Sequence, residues 1–190
     1  MSAISDDMLA AADDHLRVID ALRAQMPLLE RMVETIVSTF RAGGRVYVFG
    51  NGGSAADAQH IAAELLGRFK LNRRALPAVA LTANTSILTA VGNDLGAEQF
   101  FARQVEGLLQ PADLAWVLSV SGTSPNVMKA VRMVKEIGAT LIGFTGRSGG
   151  ELADYCDLCL RVEHTSSDRV QEAHELAYHL ICEHVERAMS

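Results

Sequence analysis

The sequence predicts an α/β fold: a doubly wound, five-stranded parallel sheet flanked by helices, with an N-terminal helical hairpin before it and a long C-terminal helix after it. Three observations carry this reading. From Arg45 onward, short β-branched runs alternate with helical stretches. Strands separated by helices need right-handed crossovers, which cover both faces of a parallel sheet. Before Phe40 the apolar residues recur at steps of three and four instead, the period of a helix.

Taken in order, Leu9, His15, Leu16, Ile19, Leu22, Met26, Leu29, Met32, Val33 and Ile36 form one apolar stripe, with Pro27 as the break between two helices. A stripe this long needs a partner, either the rest of the domain or another subunit. The strand candidates are Val46–Phe49, Ala78–Leu81, Ala115–Val120, Thr140–Phe144 and Leu158–Val162. Between them lie Ala55–Arg68, Ile87–Gly92 with Glu98–Leu109, Pro125–Gly138 and the short Gly150–Tyr155, and a last helix runs from about Asp168 to Met189. No repeat, low-complexity segment or linker interrupts the 190 residues. The expectation is one domain over 1–190, with 1–42 as the hairpin for assembly and 45–190 as sheet and site.

Composition narrows the function. Apolar residues make up 49% and charged residues 21% of the chain, the balance of an ordinary globular domain. A net charge of -6 counts against nucleic acid, whose backbone is bound by clustered Lys and Arg. It leaves room for a local phosphate pocket built from backbone N–H groups and hydroxyls. Cys156, Cys159 and Cys182 match no zinc-finger spacing and read as buried thiols in a reducing compartment. Neither a basic, apolar leader nor an apolar run of membrane-spanning length is visible. A soluble, cytoplasmic protein is expected.

In a doubly wound sheet the ligand sits at the carboxyl ends of the strands. That singles out the loops Gly50–Ser54, Thr82–Ser86, Ser119–Ser124 and Thr145–Gly150. The first reads Gly50-Asn51-Gly52-Gly53-Ser54 and opens a helix whose free N–H groups suit an anion. A dinucleotide reading fails, because the second strand ends in Thr82-Ala83-Asn84 with no acidic residue to hold a ribose. A Walker loop fails too, since no Gly-Lys-Ser/Thr follows. No nucleotide cofactor is expected. The third loop, Ser119-Val120-Ser121-Gly122-Thr123-Ser124-Pro125, places Pro125 at the first helical position and Ser124 as N-cap. Capping accounts for Ser124 alone; the further hydroxyls around a glycine suit a phosphate monoester.

Two helices offer groups for proton transfer. His60 and Glu64 are four apart and share one helix face. Gln171 and His179 lie two turns apart on the last helix and can address one point. Any one of these could be a surface pair or a satisfied histidine. His174 and His184 read as structural.

Together, Gly50-Asn51-Gly52-Gly53-Ser54-Ala55-Ala56-Asp57-Ala58-Gln59-His60 with Glu64, Leu88-Thr89-Ala90-Val91-Gly92-Asn93-Asp94, Ser119-x-Ser121-Gly122-x-Ser124, and Val170-Gln171-Glu172-x-His174 with His179 strongly resemble the bacterial phosphoheptose isomerases of the sugar isomerase (SIS) domain proteins. The resemblance runs nearly the whole chain in register. It implies conversion of sedoheptulose 7-phosphate to D-glycero-D-manno-heptose 7-phosphate, the first step toward ADP-heptose, in a homotetramer with active sites between subunits. By position it implies substrate contacts at Asn51, Gly52, Gly53, Glu64, Asn93, Asp94, Ser119, Val120, Ser121, Ser124 and Gln171. It implies Glu64 and His179 as the acid/base pair, and one zinc per subunit held by His60, Glu64, Gln171 and His179. Two positions depart from the pattern: Val120 stands where threonine is usual, and Asn84 where aspartate is common. The alternative is a non-catalytic SIS relative that associates with the bacterial replication initiator. Its positions equivalent to Glu64 and His179 carry residues unfit for proton transfer, whereas here both are intact.

Overall fold

The structure, a computed structural model, describes residues 2–190. Eight α-helices and five strands run in the order α1 (Ala3–Leu22), α2 (Met26–Arg41), β1 (Val46–Gly50), α3 (Gly53–Leu66), β2 (Ala78–Ala80), α4 (Thr85–Asp94), α5 (Ala102–Leu108), β3 (Leu114–Leu118), α6 (Pro125–Ile137), β4 (Thr140–Gly146), α7 (Leu152–Tyr155), β5 (Leu158–Val162) and α8 (Ser167–Ala188). All strand pairs are parallel, and the sheet order is β2-β1-β3-β4-β5.

Side-chain alternation along the strands divides the core in two. Val46, Val48, Leu114, Trp116 and Leu118 face one side, where they meet α2, α3 and α8. Tyr47, Phe49, Ala115 and Val117 face the other, against α5, α6 and α7. A parallel strand wet on neither face reads as a continuous apolar run, which is why the sequence shows the sheet so clearly.

The N-terminal helices differ from the expected hairpin. Leu22, Arg23, Gln25 and Met26 all keep right-handed helical dihedrals, so a single 3-10 turn at Arg23–Gln25 carries α1 into α2 without reversing the chain. Pro27 falls in the first turn of α2, where its missing N–H costs nothing. Both helices pack along α8 and form a bent arm. The cysteines are also corrected in part. Cys182 is buried in the core, but Cys156 and Cys159 are only half-buried, because one ends α7 and the other lies on the edge strand β5. Among the described residues no helix is long and apolar enough to cross a membrane.

His174 is structural, as expected. It is fully buried on α8 beside Phe144, with Nε2 at 3.3 Å from the carbonyl of Thr145 and Nδ1 without a partner. Burial pushes its pKa from the ordinary 6.5 down to about 4, with the Thr145 contact opposing. The neutral ring therefore favours the fold, and its contribution is complete above the unfolded pKa. It is lost as pH falls from 6.5 toward about 4, a change on the order of 3 kcal/mol. Urea titrations across that window should show the loss, and His174→Phe should flatten it. An unchanged acid limb in the variant would assign the pH dependence to other groups.

Candidate active site

A cavity of about 590 Å³ opens at the carboxyl ends of β1, β3, β4 and β5. With this strand order the crevice belongs beside β1 and β3, where the crossovers change direction. Its lining includes Asn51, Ser54, Ser119, Val120, Ser121 and Ser124. Ser54 lies in the first turn of α3, Ser124 caps α6 and Ser167 starts α8, so three helix N-termini converge on one space. Their partial positive charges sum where an anion would sit.

Ser124 occupies the N-cap, yet its hydroxyl makes no capping bond. Ser121 Oγ accepts only a 3.3 Å bond from the N–H of Thr123. Both hydroxyls are therefore available to a ligand. Ser119 is buried, and its Oγ accepts from the N–H of Gly122 at 3.2 Å. Asn51 and Asn126 exchange two amide bonds of 2.9 Å, which tie the first loop to the third. The third loop is shaped by its neighbour. Gly122 and Gly150 both have positive φ, +65 and +56, and a Cβ on either would strike the backbone of the other loop. Leu152 N–H donates to the Gly122 carbonyl at 2.9 Å, and Gly146 N–H donates to Val120 O at 3.0 Å.

Val120 lines the cavity only partly; its side chain also packs on the core, and its carbonyl takes the Gly146 bond. Position 120 thus offers backbone rather than a hydroxyl. Val120→Thr should leave KM unchanged and lower stability by about 1 kcal/mol, the low end for a half-buried hydroxyl without a partner. A several-fold fall in KM without loss of melting temperature would show that threonine binds phosphate here. Asn84, the other departure, caps α4 by accepting from Ile87 N–H at 3.0 Å, a task aspartate performs equally well.

Further along α3, His60 and Glu64 meet His179 of α8. His60 Nε2 is 3.1 Å from Glu64 Oε1 and 3.5 Å from His179 Nε2. One donor atom from each of the three residues lies within 4.8 Å of the others. The hydroxyl of buried Tyr178 is 3.0 Å from His60 Nδ1. With Nδ1–H directed to Tyr178, Nε2 keeps its lone pair for a cation. Glu64 Oε2 is buried and unpartnered. Two imidazole nitrogens and a carboxylate with a free oxygen are a donor set that fits zinc.

Gln171 lies nearer the first loop. Its Nε2 donates to Asp57 Oδ1 at 3.2 Å, and its amide lies so close to Gly53 that a Cβ there would overlap it. Asp57 was missed in sequence, where it is one polar residue among alanines. It is buried, its Oδ2 has no partner, and burial holds its carboxyl above the usual range against the Gln171 bond. Asn93 and Asp94 are exposed at the end of α4, bonded to each other at 2.7 Å and outside the cavity lining. The far wall, Arg147, Ser148, His164, Thr165 and Ser167, was only half anticipated. The loop after β4 was singled out; the loop after β5 was not, although the same strand-end rule reaches it.

Comparison with known proteins agrees with this geometry. The SIS domain family model matches residues 12–146. The chain is 48% identical over 186 residues to a phosphoheptose isomerase of Roseiflexus sp. (strain RS-1), covering 98% of this chain and 93% of that one. Phosphoheptose isomerase structures from Neisseria gonorrhoeae and Francisella tularensis superpose with TM-scores of 0.92 and 0.93, at 35% and 34% identity. They cover 97% and 98% of this chain and 100% of each of those. With the motifs in register and the sheet, cavity and His–Glu–His cluster in place, the chain belongs to the SIS domain family and, within it, to the phosphoheptose isomerases.

Proposed function

We propose that this chain interconverts sedoheptulose 7-phosphate and D-glycero-D-manno-heptose 7-phosphate. It is a phosphosugar isomerase. The observation that carries the reading is the arrangement along α3, with a hydroxyl-lined anion pocket at its N-terminus and an acid/base cluster near its C-terminus. Ser54 and Glu64 are ten residues apart on this helix, about 15 Å at roughly 1.5 Å per residue. The phosphate and the reacting carbons are thereby assigned to opposite ends of one rigid element.

The chemistry follows from the groups present. Glu64 takes a proton from C1 of the ketose and returns it at C2, through an enediol. His179 moves the proton between the two sugar oxygens. Gln171, held by Asp57, orients the hydroxyls. His60, Glu64, Gln171 and His179 would hold zinc, and a bound ion would supply Lewis-acid chemistry there. We infer a cytoplasmic homotetramer with sites between subunits. The exposed apolar face of the arm, with Ile4 at 73%, Met8 at 69% and Leu16 at 63% exposure, supports assembly. So does α4, which buries no residue within the chain. The division into an assembly arm (1–42) and a catalytic body (45–190) is part of the same proposal. The intact Glu64 and His179 favour an enzyme over a binding protein.

The direct test is NMR detection of the aldose formed from sedoheptulose 7-phosphate by purified protein. No turnover under any metal loading would overturn the proposal. Metal analysis of protein purified without chelator should find zinc, since the donor set suits it better than magnesium. Zinc should also raise the melting temperature of the stripped protein. Stoichiometric magnesium would contradict the assignment.

A further inference from the structure

Beyond the acid/base pair lies a buried carboxylate that takes no part in the chemistry. Glu186 on α8 is 1% exposed. Its Oε1 accepts from Phe69 N–H at 2.9 Å, and its Oε2 from Lys70 N–H at 2.7 Å and Leu71 N–H at 2.8 Å. Arg73 Nε completes an ion pair with Oε1 at 3.2 Å, both side chains only 1% exposed. One carboxylate so fixes the whole segment that leaves α3. Burial alone would raise its pKa, but the three N–H groups and Arg73 hold it below the usual range. The carboxylate is therefore charged at neutral pH, held by three N–H bonds, with Arg73 Nε an ion-pair contact rather than a hydrogen bond.

The segment it fixes touches both members of the pair. Phe69 stacks on His179, ring centroids 5.5 Å apart and planes 8° from parallel. Arg73 Nη2 donates to the backbone carbonyl of Glu64 at 2.7 Å, clamping the last turn of α3. Lys70 Nζ adds an exposed pair with Glu183 Oε2 at 2.7 Å, but the routes through Phe69 and through Arg73 both return to Glu186. Resting on the isomerase reading, we propose that Glu186 is a positioning residue: through Phe69 it sets the imidazole of His179, and through Arg73 the end of the helix that carries Glu64. Such anchoring matters because proton transfer is sensitive to small displacements of the transferring groups. The phosphate pocket lies at the opposite end of α3 and is untouched by it.

The test uses full-length protein with labelled histidine, the His179 signal being assigned by its loss in His179→Gln. The ring current of Phe69 should displace that signal in the wild type. In Glu186→Gln the amide nitrogen faces N–H donors, so the segment should detach. The His179 signal should then move toward the position of a free histidine, although Glu186 never touches the ring. Turnover should fall about 10- to 100-fold, the scale of lost outer-shell support, with KM and competition by inorganic phosphate unchanged. A folded Glu186→Gln in which either the His179 signal or kcat is unchanged overturns the proposal. If that variant does not fold, Phe69→Leu decides. Its kcat should fall at constant KM and be restored in Phe69→Tyr, and normal turnover in Phe69→Leu overturns the proposal equally. Should the wild type not isomerise sedoheptulose 7-phosphate, the functional reading fails and the His179 signal alone judges the positioning role.

Discussion

Glu64→Gln should lower kcat by at least ~10²-fold, the usual scale for a general base, while the fold and phosphate affinity should persist. Glutamine matches glutamate in shape, and the neighbouring contact of Glu64 Oε1 with His60 Nε2 is a single 3.1 Å approach. What the amide lacks is a basic oxygen to receive the sugar's proton. Glu64 Oε2 is the atom placed for that, buried and with no partner in the protein. The measurement is kcat on variant shown to be folded by circular dichroism, alongside the inhibition constant of inorganic phosphate. Near-normal turnover would remove Glu64 from the base role.

The second large effect is expected at the phosphate. Ser121→Ala and Ser124→Ala should each weaken substrate by about 1.5–3 kcal/mol if the hydroxyl bonds a charged oxygen, and the double variant should come close to abolishing saturation. Ser124 separates binding from folding unusually well. A capping serine replaced by alanine costs about 1 kcal/mol of stability, but this hydroxyl makes no capping bond. The melting temperature of Ser124→Ala should therefore barely move while KM rises. A fall in melting temperature at constant KM would make it a cap and relocate the phosphate.

The sheet was legible because its central strands β1, β3 and β4 are dry on both faces and separated by amphipathic helices, a pattern local in sequence. β3 ends at Leu118 rather than Val120, although Ser119 N–H still donates to Phe144 O and Val120 O accepts from Gly146 N–H; the turn itself closes where Gly122 N–H reaches Ser119 O. The bend between α1 and α2 was not legible. Apolar spacing reports which face is buried, and α8 buries that face for a bent arm as well as a second helix would in a hairpin. In the site, His60 with Glu64 and Gln171 with His179 could be paired by helix period alone. Asp57, Phe69, Arg73 and Glu186 could not, because their roles arise from contacts between residues more than a hundred positions apart, such as Gln171 with Asp57 or Glu186 with Phe69. His164 and Ser167 escaped notice for a different reason. The loop after β5 carries no glycine cluster, and it reaches the cavity only because β5 is the strand beside β4.

The interlock of Gly122 with Gly150 has a thermodynamic consequence. Two loops that pack backbone to backbone, each at a φ that disfavours any residue with a side chain, have few alternative shapes to visit. The serine loop therefore reaches the bound state with its conformational entropy already surrendered during folding. If the loop binds the phosphate as proposed, association spends little on ordering the receptor. On that reading, part of the recognition strength would be stored in the stitching between the loops after β3 and β4, in glycines that carry no group for the sugar.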